Sequence, residues 1–330
     1  MSSTAVSVRR AASLSRCSRC KKRCLATAAA SVAPEAPPPR CEDVAALSGF
    51  ISSSSRLMVI TGAGLSTESG IPDYRSPKGA YTTGFKSMTH AEFLRGDSSR
   101  QRYWARSFVG WPRFAHMQPN AAHHALAAMH AAGRLSGGLL TQNVDRLHHR
   151  AGTADTLELH GTTHRVVCLS CGAESCRAHM QARLAQLNAG WTPQGGADVA
   201  LQRPDGDVEL AQRAVLDFKV PTCDACGGIL KPAVVFFGDS VPPKVSATAK
   251  HWAESADALL VIGSSLSTWS SHRLATIVAN RKKPIALVNI GPTRADGQAS
   301  LKIDSALASE VLQRALAHGG LDLPARSVTA

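Results

Sequence analysis

The chain of 330 residues contains no run of about 20 apolar residues, the length a helix needs to cross a bilayer, so no membrane span is expected. It also has no acidic residue before Glu35. Residues 1–40, "MSSTAVSVRRAASLSRCSRCKKRCLATAAASVAPEAPPPR", hold eight Lys/Arg against that one acid and lack the unbroken apolar core of a secretory signal. Ser, Ala and Arg without acid mark an organelle transit peptide, and "APEAPPPR" reads as a stiff linker. The alternative is a disordered basic tail. Composition does not separate the mitochondrial matrix from a plastid. Of the formal net charge of +13, seven units fall in this segment, so no stable nucleic-acid binding is expected of the rest. No internal repeat of fixed period is present.

A further absence concerns phosphate binding. In "VITGAGLSTESGIPDYRS", Val59 to Ser76, a short β-branched run enters a Gly-Ala-Gly turn, as a strand does before it hands a phosphate to the next helix. A hydride-transfer fold wants a third glycine three positions after the second, and an acid about 20 positions further on for the ribose. Here the third position is Thr67, and "YTTGFK" contains no acid. The loop reads as nucleotide-binding, but not as ordinary hydride transfer.

What is present from Cys41 onward is an alternation of apolar strands and helical stretches. "RLMVITGAG", "GGLLTQNVD", "ALLVIGSSL" and "KPIALVNIG" each end in small or polar residues. The pattern predicts an α/β fold, a Rossmann-like doubly wound parallel sheet with its ligand at the carboxyl ends of the strands. The expected sheet domain comprises residues 41–73, 119–164 and 231–330. It is interrupted at 74–118 by a cofactor loop and helical cap containing "RQRYWARSFVGWPRF", and at 165–230 by a small module containing "CLSC" and "CDAC".

Three of the nine cysteines, Cys17, Cys20 and Cys24, lie in the leader, where a CxxC spacing has no core to hold a tetrahedral site. Cys168, Cys171, Cys223 and Cys226 form two CxxC knuckles, each followed by a glycine (Gly172, Gly227). Four thiolates suit one structural Zn²⁺ with no open position. The rival quartet is Cys168, Cys171, Cys176 and His179, and a redox dithiol is the other alternative.

His160 in "LELHGTTHR" is by itself more readily a satisfied core group than a base. "TQNVDRLH" adds Gln142, Asn143 and Asp145 at a strand end, where amides and a carboxylate could hold ribose hydroxyls; the plain alternative is a polar turn with Asp145 capping a helix.

Taken in order and spacing, GAGLSTESGIPDYRS, TQNVDRLHHRAG, LELHGTTHR, the two CxxC pairs, KPAVVFFGD, GSSLST and VNIG resemble the sirtuins, the NAD-dependent protein lysine deacylases. The resemblance runs from about Glu42 to about Leu316; "RQRYWARSFVGWP", "RPDGDVEL" and "NIGPTRAD" look most like the class II, mitochondrial sirtuin-four type. It implies that Gly62, Ala63, Gly64 and Thr67 approach the NAD backbone, and that Asp73, Tyr74 and Arg75 belong to a mobile cofactor loop. Gln142, Asn143 and Asp145 would hold the nicotinamide ribose. Gly263, Ser264 and Ser265 would face phosphates and ribose, and Asn289, Ile290 and Gly291 the adenosine side. Val235, Phe236, Phe237 and Gly238 would pair with the substrate backbone.

The implied reaction releases nicotinamide and then uses His160 as general base on a ribose hydroxyl, with Asn143 and Asp145 orienting, to yield free lysine and O-acyl-ADP-ribose. The implied partners are acylated-lysine proteins, and a monomer is expected. Two further readings are kept, a protein mono-ADP-ribosyltransferase and an NAD-binding sensor with weak catalysis. Thr162 and Asp239 depart mildly from the family pattern. The desuccinylating class carries a Tyr and an Arg three residues apart, looked for here at "GAYTTGFK". There Tyr81 is followed by Gly84, so no succinyl preference is expected, although Lys78 or Lys86 could offer a charge.

Overall fold

The computed structural model describes residues 32–193 and 202–321; residues 1–31, which hold most of the expected leader and Cys17, Cys20 and Cys24, lie outside the described residues. Six parallel strands form the main sheet: β1 (Leu57–Thr61), β2 (Leu139–Thr141), β3 (Leu157–Glu158), β7 (Ala258–Ile262), β8 (Ile285–Val288) and β9 (Leu301–Ile303), in the order β3-β2-β1-β7-β8-β9. Every residue of β1, β7 and β8 is buried, as expected of central parallel strands covered on both faces. The four apolar runs seen in the sequence are β1, β2, β7 and β8. The edge strands β3 and β9, of sequence LE and LKI and only partly buried, carry no unbroken apolar run of their own.

One face of the sheet packs against α1 (Cys41–Ser53), α4 (Ala121–Ala131) and α9 (Ala308–His318), in a core that includes Leu47, Leu126 and Leu312. The other face packs against α7 (Pro243–Ser255) and α8 (Trp269–Asn280), through Ala249, Leu274 and Val278. The sheet is therefore wound on both sides, and its strand ends meet one crevice.

Beside it stands a smaller unit. Its antiparallel sheet has the order β5-β4-β6, from β4 (Gly161–Cys168), β5 (Glu174–Cys176) and β6 (Leu230–Val234). It carries α6 (Arg177–Leu187), α2 (His90–Leu94) and α3 (Asp97–Phe114). The sequence reads the cap and the cysteine module as two insertions. In the structure they share one core, in which Phe93, Tyr103 and Trp104 pack with Val166, Met180, Phe218 and Leu230. The Trp104 indole donates to the Leu230 carbonyl at 3.1 Å, tying α3 to β6. Among the described residues no helix is long and apolar enough to cross a membrane.

Candidate active site and zinc centre

The cysteine knuckles fold alike. Gly172 and Gly227 both adopt φ +71°, and their N–H groups donate to the carbonyls of Cys168 and Cys223 at 3.0 and 2.8 Å. The turns bring all four Sγ atoms within 4.8 Å of one another, with Cys168–Cys226 at 3.5 Å and Cys171–Cys223 at 3.8 Å. Zn–S bonds of about 2.3 Å in a tetrahedron require S···S separations of about 3.8 Å, so this donor set fits Zn²⁺. A Cβ on Gly228 would reach within 2.9 Å of Cys168 Sγ, which leaves glycine as the residue that clears the site. The rival quartet is not assembled: Cys176 Sγ accepts from the His179 N–H at the start of α6, and His179 Nε2 faces Asp224 at 3.6 Å.

A cavity of about 1250 Å³ lies between the carboxyl edge of the main sheet and the small unit. That exceeds the roughly 300–1000 Å³ of a single-ligand pocket and gives room for a dinucleotide together with a second substrate. Its sheet-side wall is formed by Gly62, Ala63, Gly64 and Thr67 after β1, Gly263, Ser264 and Ser265 after β7, and Asn289, Ile290 and Gly291 after β8. Val235, Phe236, Phe237 and Gly238 line the opposite side, and Asp73, Tyr74 and Arg75 lie over it. Small residues and backbone along the strand ends fit an anionic, extended nucleotide. The cavity is also reached by Pro34, whose segment is held by Val32 N–H donating to the Thr67 carbonyl at 3.1 Å.

Glycine has a second reason here beyond ligand approach. Gly64 N–H donates to the Gly263 carbonyl at 2.9 Å where the two loops cross, and Gly263 has φ +60°. A Cβ on Gly62 would lie 2.7 Å from the Gly263 carbonyl oxygen, closer than real Cβ contacts come. The loops can meet only without side chains at these positions.

Gln142 joins the two halves of the wall. Its Nε2 donates to Ser264 Oγ at 2.7 Å, and its Oε1 accepts from Thr268 Oγ1 at 3.3 Å. Its backbone carbonyl faces His160 Nδ1 at 3.2 Å. Because a carbonyl only accepts, that contact fixes the proton on Nδ1 and leaves Nε2 with a lone pair, which meets Ser270 Oγ at 2.8 Å. Burial pushes the His160 pKa down to about 4, the Gln142 contact opposing it, so the imidazole is neutral at physiological pH. Ser270 went unread in the sequence; the only signal was its place in the polar opening of α8, just after GSSLST.

Asn143 Nδ2 donates to the Gly62 carbonyl at 3.0 Å and to Ser66 Oγ at 3.1 Å. Asp145 departs from expectation. It does not line the large cavity; it is 4% exposed and borders an adjoining void of about 30 Å³, room for one water. Its Oδ2 accepts from Ser66 Oγ at 2.7 Å, and its Oδ1 from the Leu147 N–H at 2.9 Å, at the start of α5 (Leu147–Ala151). Burial raises its pKa, and these donors hold it down. The residue between, Arg146, sits at φ +61°, a left-handed conformation that costs a non-glycine residue energy and is concentrated at functional sites.

The substrate-side segment is already paired along one edge. Val235 N–H donates to the His160 carbonyl at 2.9 Å and His90 N–H to the Phe237 carbonyl at 2.9 Å. An added strand must therefore use the remaining groups.

The Tyr/Arg spacing sought around Tyr81 occurs elsewhere. Tyr103 and Arg106 lie three residues apart on α3, and Tyr103 lines the small-unit end of the cavity with Asp205 and Asp207. Burial pushes the Asp207 carboxyl up to about 7, with the Arg106 guanidinium opposing. "YWAR" and "RPDGD" were visible in the sequence, but nothing local links them.

The Sir2 family model matches residues 62–270. The NAD-dependent protein deacylase SRT2 of Arabidopsis thaliana is 47% identical over 306 residues, covering 89% of this chain and 81% of that protein. The human NAD-dependent protein lipoamidase sirtuin-4, mitochondrial, is 50% identical over 275 residues, covering 82% of this chain and 86% of that protein. A solved structure of Sir2 with a p53 peptide and NAD+ superposes with a TM-score of 0.66 at 26% identity, over 84% of this chain and 98% of that one. The wound sheet, the cysteine centre and the two-sided cavity thus agree with similarity along most of the chain: this protein belongs to the Sir2 family, the sirtuins, and is of the class II, sirtuin-four-like type.

Proposed function

We propose that the protein is an NAD-dependent protein-lysine deacylase whose products are nicotinamide, free lysine and O-acyl-ADP-ribose. The observation that carries this is His160: a largely buried, neutral imidazole with Nδ1 fixed by the Gln142 carbonyl and Nε2 directed to Ser270, both residues lining the cavity. NAD is the co-substrate and supplies, at the carbon released from nicotinamide, the electrophile for the acyl-lysine oxygen. His160 Nε2 then takes the proton of a ribose hydroxyl, and Ser270 holds the ring before that hydroxyl arrives. Gln142 orients His160 and Ser264 together. Asn143 keeps the Gly62 turn in place, and Asp145 acts through Ser66 and α5 rather than on the reacting atoms. The glycine and serine wall at 62–64, 263–265 and 289–291 takes NAD. The 235–238 segment takes the peptide backbone, with half-exposed Phe237 at its mouth.

Zn²⁺ held by Cys168, Cys171, Cys223 and Cys226 supplies structure and no chemistry, since a closed set of four thiolates leaves no open position. Acylated proteins are the substrates. The mitochondrial matrix is the favoured location, on the leader composition and on the similarity to the human mitochondrial sirtuin-4, with a plastid as the alternative. Domain limits of 1–40 for leader and linker and 41–330 for the catalytic part are part of the same reading.

Nicotinamide release that requires both NAD and an acylated peptide, with the acyl group appearing on ADP-ribose, is the expected result. ADP-ribose appearing on protein instead would favour the transferase reading, and NAD binding without nicotinamide release the sensor reading. The depressed His160 pKa adds a pH expectation. Because the imidazole stays neutral down to about 4, kcat/KM on a neutral acyl peptide should hold nearly level from pH 8 to 5. Half-loss near the ordinary histidine pKa of about 6.5 would contradict the buried base.

A further inference from the structure

The segment ahead of α1 reads in the sequence as a stiff spacer, yet the fold anchors it at both ends. At its start, Val32 N–H donates to the Thr67 carbonyl at 3.1 Å, on the turn after β1. At its finish, Pro39 is buried, and Arg40 grips Asp43 of α1 through Nε and Nη2 at 2.8 and 2.9 Å. Asp43, then Glu42 and, more weakly, Asp304 just past β9 raise the pKa of the Arg40 guanidinium. The segment therefore runs from the β1 part of the sheet to the β9 edge, and between these anchors Pro34 lines the cavity.

The cavity end beside this segment lies away from His160. In the sheet, β1 is followed by β7, β8 and β9, whereas His160 comes just after β3 at the opposite edge. Ile290, after β8, and Leu307 and Ala308, at the start of α9, line the β9 end. Ile290 is 41% exposed, an apolar side chain left open within a binding cavity. Glu68 Oε2 accepts from Ser309 Oγ at 2.6 Å, so the turn that holds Val32 is also tied to α9. Apolar lining with a proline ring among it suits a flat, weakly hydrated group such as a purine base, whose burial is favoured by the area removed from water. Prolines at 34, 37, 38 and 39 fix φ and leave the segment few conformations to lose, so this wall is preformed.

We propose that residues 32–40 are a wall of the NAD site, with Pro34 closing its adenosine end. The inference rests on the reading that NAD occupies the wall at 62–64, 263–265 and 289–291, and it adds a piece contributed from outside the sheet. Any leader is then removed ahead of Val32, and the processed enzyme keeps Val32 and Pro34.

The test is calorimetric binding of NAD, ADP-ribose and an acylated peptide to the full chain, in wild type, Val32→Pro, Val32→Ala and Pro34→Gly, with a melting curve for each. Val32→Pro deletes the N–H that holds the segment to Thr67. Its Kd values for NAD and ADP-ribose should rise together by about 2- to 10-fold, the range of one neutral hydrogen bond. Val32→Ala keeps the N–H and should restore wild-type affinity. Pro34→Gly removes the ring and frees the backbone, so it should weaken both nucleotides and leave peptide affinity unmoved. Nucleotide and peptide affinity falling together with the melting temperature would mark a merely structural segment and overturn the proposal. Unchanged nucleotide affinity in Val32→Pro and Pro34→Gly overturns it too, as does a processed chain that begins after Pro34 and binds NAD as tightly as the full chain. A wild type that binds neither nucleotide overturns the NAD reading along with it, whereas a wild type that binds both, with variants that match it, overturns this proposal alone.

Discussion

Replacing His160 with tyrosine is expected to abolish deacylation while leaving NAD binding and part of nicotinamide exchange. Removing a general base costs roughly 10²- to 10⁴-fold in rate. A phenol, with a pKa of about 10, stays protonated at neutral pH and cannot replace the imidazole. Loss of the Nδ1 and Nε2 contacts to Gln142 and Ser270 also releases the opening of α8 from the strand end of β2, which should push the effect toward the upper limit. Nicotinamide departure precedes the base-dependent step, so exchange of labelled nicotinamide into NAD should survive in part. Asn143→Ala should behave differently. It removes the donor to the Gly62 carbonyl and to Ser66, disturbing the nucleotide turn before either step, so exchange and deacylation should fall together. Both reactions measured on one acylated peptide, with a melting curve for each variant, separate the two roles. Deacylation by His160→Tyr at the wild-type rate would remove His160 from the chemistry.

Cys223→Ser should release zinc and unfold the small unit. Cys223 is a ligand and also a member of the core with Phe218 and Leu230, and its N–H donates to the Gly228 carbonyl at 2.9 Å. A structural zinc site contributes its binding energy directly to folding, and serine at this position leaves three cysteine sulfurs, one short of the closed tetrahedron. The damage should not stay local. Tyr103 and Trp104 of α3 belong to the same core, and Tyr103 lines the cavity, so deacylation should be lost along with the metal. Cys176→Ser is the control. Its sulfur caps α6 and stands outside the quartet, so zinc should be retained at one ion per chain with at most a small drop in melting temperature. Stoichiometric zinc and unchanged stability in Cys223→Ser would overturn the assignment.

The sequence by itself determined the parts encoded locally. Parallel strands buried on both faces need unbroken apolar runs, and so β1, β2, β7 and β8 stood out. Two knuckles with matching glycines announced their metal, since each CxxC turn is complete within a few residues. The loops that line the cavity followed from strand ends. The tertiary structure alone decided what depends on residues brought together from far along the chain. Ser270 meets His160 across 110 positions, and Asp207 meets Arg106 across 101. The cap and the cysteine module became one unit because their apolar faces cover each other, and apolar character alone does not say which faces will meet. Asp145 carries the same residue type the sequence reading required, yet its two oxygens are committed to Ser66 and Leu147, out of the main cavity. The His160 pKa belongs to this second group as well. Periodicity and spacing record backbone preference and the side of an element that avoids water, whereas burial and the choice of hydrogen-bond partner exist only after the chain has closed around the residue.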